Sequence, residues 1–277
     1  MAEIVGGFLM PHNPALSGML KGLADQAQED TVFKAFEHIA ARLVELRADT
    51  VIIISDDHYT NFGPHCIPSC LIAVGDLDGP IEDWIPLEKG MIPNNEPLAR
   101  HILAQGGIDR IDWSFAKALT VEHAIAIPYE FAVKANPGLK TIPVYLNCTQ
   151  RPFVSNQRAY EIGESIRRAV ESWPGNERVV IFGTGGMSHW VGCPGMGHVN
   201  AAFDLRMLDL FVKGDVDALL AISDEEILRE SGNGGMEIKN WYCALGALPQ
   251  AKGEIIAYEA MEAWLTGMGF AELKNAA

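Results

Sequence analysis

Four histidines and one glutamate fall where this chain could do chemistry: His12, His58, His123, His189 and Glu237. Imidazole and carboxylate groups bind divalent metals, and imidazole exchanges protons near neutral pH. Two histidines and one carboxylate on one face of a metal leave its other face open. That arrangement suits non-haem Fe(II) that must take both an organic substrate and dioxygen. The five residues share no local spacing motif, so they could act together only by converging from distant loops.

The elements that must position them are legible around each residue. Arg178 to Phe182 carries four consecutive apolar residues and reads as a short buried strand. Gly183-Thr184-Gly185-Gly186 breaks that strand, and Met187-Ser188-His189 follows. A glycine turn admits close backbone approach because no Cβ intervenes. His189 is thus expected just past the carboxyl end of a core strand, the edge at which open α/β sheets bind ligands. Thr50-Val51-Ile52-Ile53-Ile54-Ser55 is the strongest strand signal, a continuous run that predicts burial on both faces. It ends in Asp56-Asp57-His58, charged groups that are costly at a buried strand end unless solvated, paired or metal-bound. Glu3 to Met10 is a third apolar run, stopped by Pro11-His12-Asn13-Pro14 because proline cannot continue a central ladder. Val121-Glu122-His123 leads into a helical stretch, 124–133, interrupted by Pro128. Gly232-Asn233-Gly234-Gly235 introduces Met236-Glu237 and a helix over 238–248. Glu237 at such a helix start also has an ordinary explanation, the favourable helix dipole.

Further helices are expected over 31–47, 96–105 and 201–212, and from a Ser155 cap to Ser172. Ser223-Asp224-Glu225-Glu226 fits a capping box. Strands are expected over 70–74, 112–115 and 141–147. Strand–helix alternation without a linker predicts a single α/β domain over 1–277, with a central mixed or parallel sheet flanked by helices. The stretch 60–95, rich in Pro, Gly, Asp and Asn, reads as a long decorated loop following His58.

Composition narrows the function classes. With 36 acidic against 21 basic residues the net charge is -15, which disfavours nucleic-acid binding. No apolar run reaches transmembrane length and no signal-peptide pattern opens the chain, so a soluble, cytoplasmic protein without a membrane partner is expected. Five scattered cysteines without a C-x-x-C pair fit a reduced compartment.

Pro11-His12-Asn13-Pro14, Asp57-His58, Glu122-His123, the run Gly183 to His189, and Glu230-Ser231-Gly232 leading to Glu237 stand in the order seen in one family. The chain resembles the class III extradiol ring-cleaving dioxygenases, of the type of the catalytic (beta) subunit of protocatechuate 4,5-dioxygenase. The similarity extends over nearly the whole chain, and the glycine-rich run through His189 is its most specific part. The resemblance implies Fe(II) held by His12, His58 and Glu237. It also implies His189 as the active-site acid/base, and His123 as a second histidine assisting proton transfer. The implied substrates are a small aromatic diol and O2, and the implied assembly is a homodimer or larger oligomer, with a separate small subunit left open. Trp190 departs from the polar residue of the protocatechuate enzyme and Asn13 from an apolar one. Trp190, with Trp84 in the stretch after His58, is expected to contact substrate and set which ring is accepted. Three alternatives stay open at this point: a zinc hydrolase using the same ligands, a non-catalytic interaction module, and, weakest, a serine hydrolase built on Ser188.

Overall fold

The computed structural model describes residues 1–248 and 250–275. A nine-stranded mixed sheet runs through them, built of β1 (Glu3–Met10), β2 (Thr50–Ser55), β3 (Cys70–Gly79), β4 (Gly90–Met91), β5 (Ser114–Thr120), β6 (Lys140–Leu146), β7 (Arg178–Thr184), β8 (Lys252–Met261) and β9 (Thr266–Lys274). The spatial order is β4-β3-β6-β2-β7-β1-β9-β8, with β5 paired to β3. At the centre β6, β2, β7 and β1 are mutually parallel. Antiparallel strands flank them, β3 on one side and the β9–β8 hairpin on the other. The expected α/β architecture is present, and all six residues of β2 are buried as its unbroken β-branched run requires.

Helices cover both faces. The helices α1 (Gln26–Glu45) and α3 (His123–Pro128) pack one side, with Phe36, Ile39 and Ile125 in its core. On the other side lie α2 (Glu96–Ile108), α4 (Asn156–Ser172), α5 (Ala201–Lys213), α6 (Val216–Leu220), α7 (Asp224–Ser231) and α8 (Lys239–Ala247), around Ile166, Phe211 and Trp241. The helices α4 and α8 approach so closely that a Cβ on Gly163 would meet the Cys243 carbonyl oxygen at 1.9 Å, and one on Gly246 the Tyr160 carbonyl oxygen at 2.1 Å. That contact seats α8, and with it the short 3-10 segment Gly234–Ile238 that carries Glu237.

Several boundaries differ from expectation for local reasons. α1 starts five residues early because the Asp25 carboxylate caps it, accepting from the Ala27 amide at 2.8 Å. Pro128 ends α3, and the chain continues as a wide π turn, Tyr129–Val133. The strand expected over 112–115 lies at Ser114–Thr120, and β3 runs to Gly79 through a register shift between Ala73 and Asp76. Half of the capping box forms: Ser223 Oγ accepts from the Glu226 amide, while the Glu226 side chain turns to Arg206.

Candidate active site

The parallel register places three histidines together. Met10 of β1 pairs with Thr184 of β7, and Ile54 of β2 with Gly183, so the carboxyl ends of all three strands lie side by side. His12, His58 and His189 follow those ends, and α3 brings His123 beneath the same edge. The ring centroids of His58 and His123 are 4.4 Å apart, and those of His12 and His58 are 5.2 Å apart.

Glu237 is where they meet. Its Oε2 lies 3.2 Å from His12 Nε2, and its Oε1 lies 3.1 Å from His58 Nε2 and 3.5 Å from His189 Nε2. The Gly186 amide donates to Glu237 Oε2 at 2.8 Å, so the glycine turn fixes the carboxylate through its backbone. His12, His58 and Glu237 each offer a ligand atom within 4.8 Å of the others.

The far edge of each imidazole is tied down. His12 Nδ1 lies 3.0 Å from Thr184 Oγ1 and 3.2 Å from Ser55 Oγ. Those hydroxyls donate onward, to the carbonyls of Ile54 and Ala124 respectively, so they accept from His12. The proton therefore sits on Nδ1 and leaves Nε2 with a free lone pair. That buried Nε2 has no hydrogen-bond partner, as a ligand atom facing a metal position would not. His58 donates from Nδ1 to Glu122, His123 from Nδ1 to Glu82 at 2.7 Å, and His189 from Nδ1 to the Met187 carbonyl at 3.0 Å. Orientation of ligating histidines by carboxylates and carbonyls is the usual support of a metal centre. The donor set and the orphaned nitrogen both fit a divalent metal.

A second cluster, His58, Glu122 and His123, also falls within ligand reach. Its carboxylate is already engaged, accepting from His58 and from the Ala124 amide as the cap of α3. Glu122 is better described as an acceptor shared by two histidines.

The electrostatics follow from burial and crowding. Burial drives Asp56 up to about 8, reinforced by Glu237, although Asn240 donates to it at 2.8 Å. Burial would lift Glu122 too, but His123 and His58 outweigh it and hold that carboxyl well below the usual range. Burial lowers His12. In His58 and His123 burial acts downward, yet the Glu122 carboxylate prevails and both titrate above the ordinary histidine value. His189 is likewise raised, with Glu237 outweighing its burial.

The five residues open into a cavity of about 330 Å³, a size typical of small-molecule sites. Its outer wall comes from three turns: Asn13 to Leu20 after β1, Trp190 to Met196 after His189, and Trp264 to Thr266 between β8 and β9. Trp190 lines it. Trp84 does not; it stands half-exposed with its ring 6.0 Å from that of His123. The stretch 60–95 supplies no lining residue; it reaches the site only through Glu82 and Trp84, which meet His123. Ser188 is buried, its hydroxyl donating to Asp204 at 2.8 Å, which leaves it no nucleophilic role.

Sequence reasoning did not single out Glu122, Glu82, Thr184, Ser55 or Asn240. Glu122 was visible as the neighbour of His123, but nothing local pairs it with His58, 64 positions away.

Comparison with known proteins identifies the family. The family described as the catalytic LigB subunit of aromatic ring-opening dioxygenase matches residues 6–269. The chain belongs to this family of metal-dependent class III extradiol dioxygenases and is a ring-cleaving enzyme. Among its relatives is a 2,3-dihydroxyphenylpropionate/2,3-dihydroxicinnamic acid 1,2-dioxygenase of Photorhabdus laumondii, 23% identical over 89% of this chain and 91% of that one. The protein of the same name from a Rhodococcus species is 22% identical over 94% of this chain and 95% of its own. An uncharacterised protein of Escherichia coli K12 shares the fold, with a TM-score of 0.58 at 10% identity over 97% of this chain and 99% of that one. Among the described residues, no helix is long and apolar enough to cross a membrane.

Proposed function

We propose that the chain opens a catechol-type dihydroxylated ring between a hydroxylated carbon and its non-hydroxylated neighbour, using Fe(II) held by His12, His58 and Glu237. The observation that carries this reading is the outward anchoring of His12 and His58 through Nδ1, with both Nε2 atoms facing Glu237. Two imidazoles and one carboxylate are the donor set of ferrous oxygenases; catalytic zinc accepts the same set, and the match to a ring-opening dioxygenase family favours iron. Fe(II) bound there supplies the dioxygen and electron-transfer chemistry and lowers the pKa of diol hydroxyls.

The protein's own residues supply orientation and protons. His189 Nδ1 is committed to the Met187 carbonyl, so Nε2 is the atom that takes a proton from the diol and returns it as the ring opens. His123, gripped by Glu82 and Glu122, keeps a second proton store beside His58. Trp190 gives the ring a flat apolar wall. Trp84 acts on substrate choice only through its contact with His123. Association of chains into a homodimer or larger oligomer is part of the reading, as the family resemblance implies.

The test is iron content and oxygen uptake measured together. Alanine at His12, His58 or Glu237 is expected to remove iron, and the parent loaded with Fe(II) under argon is expected to consume O2 with a catechol. Stoichiometric iron in one of those variants removes that residue from the ligand set. Full activity with zinc in place of iron would overturn the choice of metal.

A further inference from the structure

The cavity has a polar end and an apolar wall. At the Glu237 end, His12, His58, His123 and His189 supply polar atoms; outside that end, the wall is chiefly hydrocarbon and indole. Met19, Leu20, Trp190, Val191, Met196 and Leu265 make most of it. Among the described residues lining the cavity there is neither lysine nor arginine. Lys21 follows Leu20 but is exposed and outside the lining.

On the outer wall the Asn13 side chain is already engaged, and the Trp264 indole N–H is buried without a partner. The Asn13 amide donates to the Trp264 carbonyl at 3.1 Å, and its oxygen accepts from the Ala15 amide at 2.8 Å. Around the floor stand four carboxyl groups, Asp56, Glu82, Glu122 and Glu237, each 6% exposed or less. The whole chain carries a net charge of -15. A carboxylate standing on this wall leaves water for hydrocarbon and finds no lysine or arginine there, while the histidines at the far end are engaged with Glu82, Glu122 and Glu237. Each of those contributions opposes binding. An alkyl or aryl group in the same place meets only surface that gains by its burial.

We propose that the substrate is a diol whose ring substituent is apolar and uncharged, and that the cavity discriminates against carboxylated diols. This rests on the ring-cleaving reading above and sets the chain apart from relatives named for an acid substrate.

The test uses matched pairs that differ in charge and little in shape: 3-propylcatechol against 3-(2,3-dihydroxyphenyl)propanoate, and 4-methylcatechol against 3,4-dihydroxybenzoate. Affinity is measured by calorimetry under argon with the iron-loaded protein, and oxygen uptake is measured separately. The uncharged member of each pair is expected to bind about tenfold tighter or more, the scale on which apolar pockets sort ligands. Met196→Arg, which places a cation in the wall, is expected to close that gap by a similar factor. Equal or tighter binding of the acids by the parent protein overturns the proposal and leaves ring cleavage untouched. A preserved preference without oxygen uptake from any diol sinks ring cleavage instead. If neither member of either pair binds, both are wrong.

Discussion

Glu122 holds His58 by its Nδ1, with both carboxylate oxygens 3.2 to 3.3 Å from that nitrogen. The same carboxylate lies 3.1 Å from His123 Nδ1. One negative charge thus sets the tautomer of the proposed ligand and the protonation of the proposed proton store. Glu122→Gln keeps the shape and removes the charge. It is expected to weaken iron binding about 10- to 100-fold, the usual effect of losing a ligand's hydrogen-bonded support. It should also shift the alkaline limb of the pH–rate profile to lower pH, because His123 loses one of its two carboxylate partners and keeps only Glu82. Iron titration and a pH profile check the two effects separately; wild-type values for both would remove Glu122 from this role.

Thr184 does for His12 with a hydroxyl what Glu122 does for His58 with a charge. Thr184→Val retains the β-branched shape suited to β7. It leaves Ile54 without its hydroxyl donor, at a cost of about 1 kcal/mol. The expected result is a folded protein with a modestly lower Tm and iron affinity reduced less than in Glu122→Gln, since Ser55 still accepts from His12. An affinity loss larger than that of Glu122→Gln would reverse the ranking.

His189→Gln is expected to retain iron and to lose about two to four orders of magnitude in kcat, the range for a missing acid/base. Gly234→Ala offers an independent approach to the same residue. A Cβ there would meet His189 Nε2 at 2.1 Å, so the ring must move. Iron content should stay near one per chain while turnover falls. Near-normal turnover in both variants from pH 6 to 9 would show that protons are handled elsewhere.

Asp204 links the site to stability. Its carboxylate accepts from the Ser188 amide and hydroxyl and from the Tyr258 hydroxyl, and burial pushes it up to about 6. A carboxyl raised on folding binds its proton more tightly in the native state. Its contribution is therefore fully present below the unfolded pKa of about 3.9 and is lost as pH rises through about 6. Asp204→Asn removes that dependence. The Tm difference, wild type minus variant, is expected to shrink between pH 4 and 6.5. A difference that grows over that interval would mean the carboxylate is stabilised by its three donors.

The legible part of the fold was the part dictated by continuous local pattern. β2 announces itself in five successive apolar or β-branched residues, and each strand-end histidine could be placed because proline, glycine or acids stop its strand. The β8–β9 hairpin was not read, although its turn builds one wall of the cavity. β9 carries Gly267 and Gly269, which lower strand propensity. A Cβ on Gly267 would meet Asp204 Oδ2 at 2.1 Å, and one on Gly269 would meet Met187 Sδ at 2.4 Å. Those glycines answer to partners more than 60 positions away, and no window of sequence contains that reason. Glu82 is similar: it meets His123 across 41 positions, and in the chain it is one acid among many in a loop. The stretch 60–95 misled for the opposite reason, since turn-forming composition marks irregular chain without saying which side of the sheet it visits.

The site histidines and the cavity wall belong to different levels of the structure. His12, His58 and His189 are anchored to adjoining parallel strands, whereas Leu20, Val191, Met196 and Leu265 stand on turns that the sheet merely borders. A lineage can therefore exchange wall residues while its ligand geometry stays still. Families with this plan should diversify in diet before they diversify in chemistry, and the same separation gives a protein engineer three short turns to graft without reopening the core.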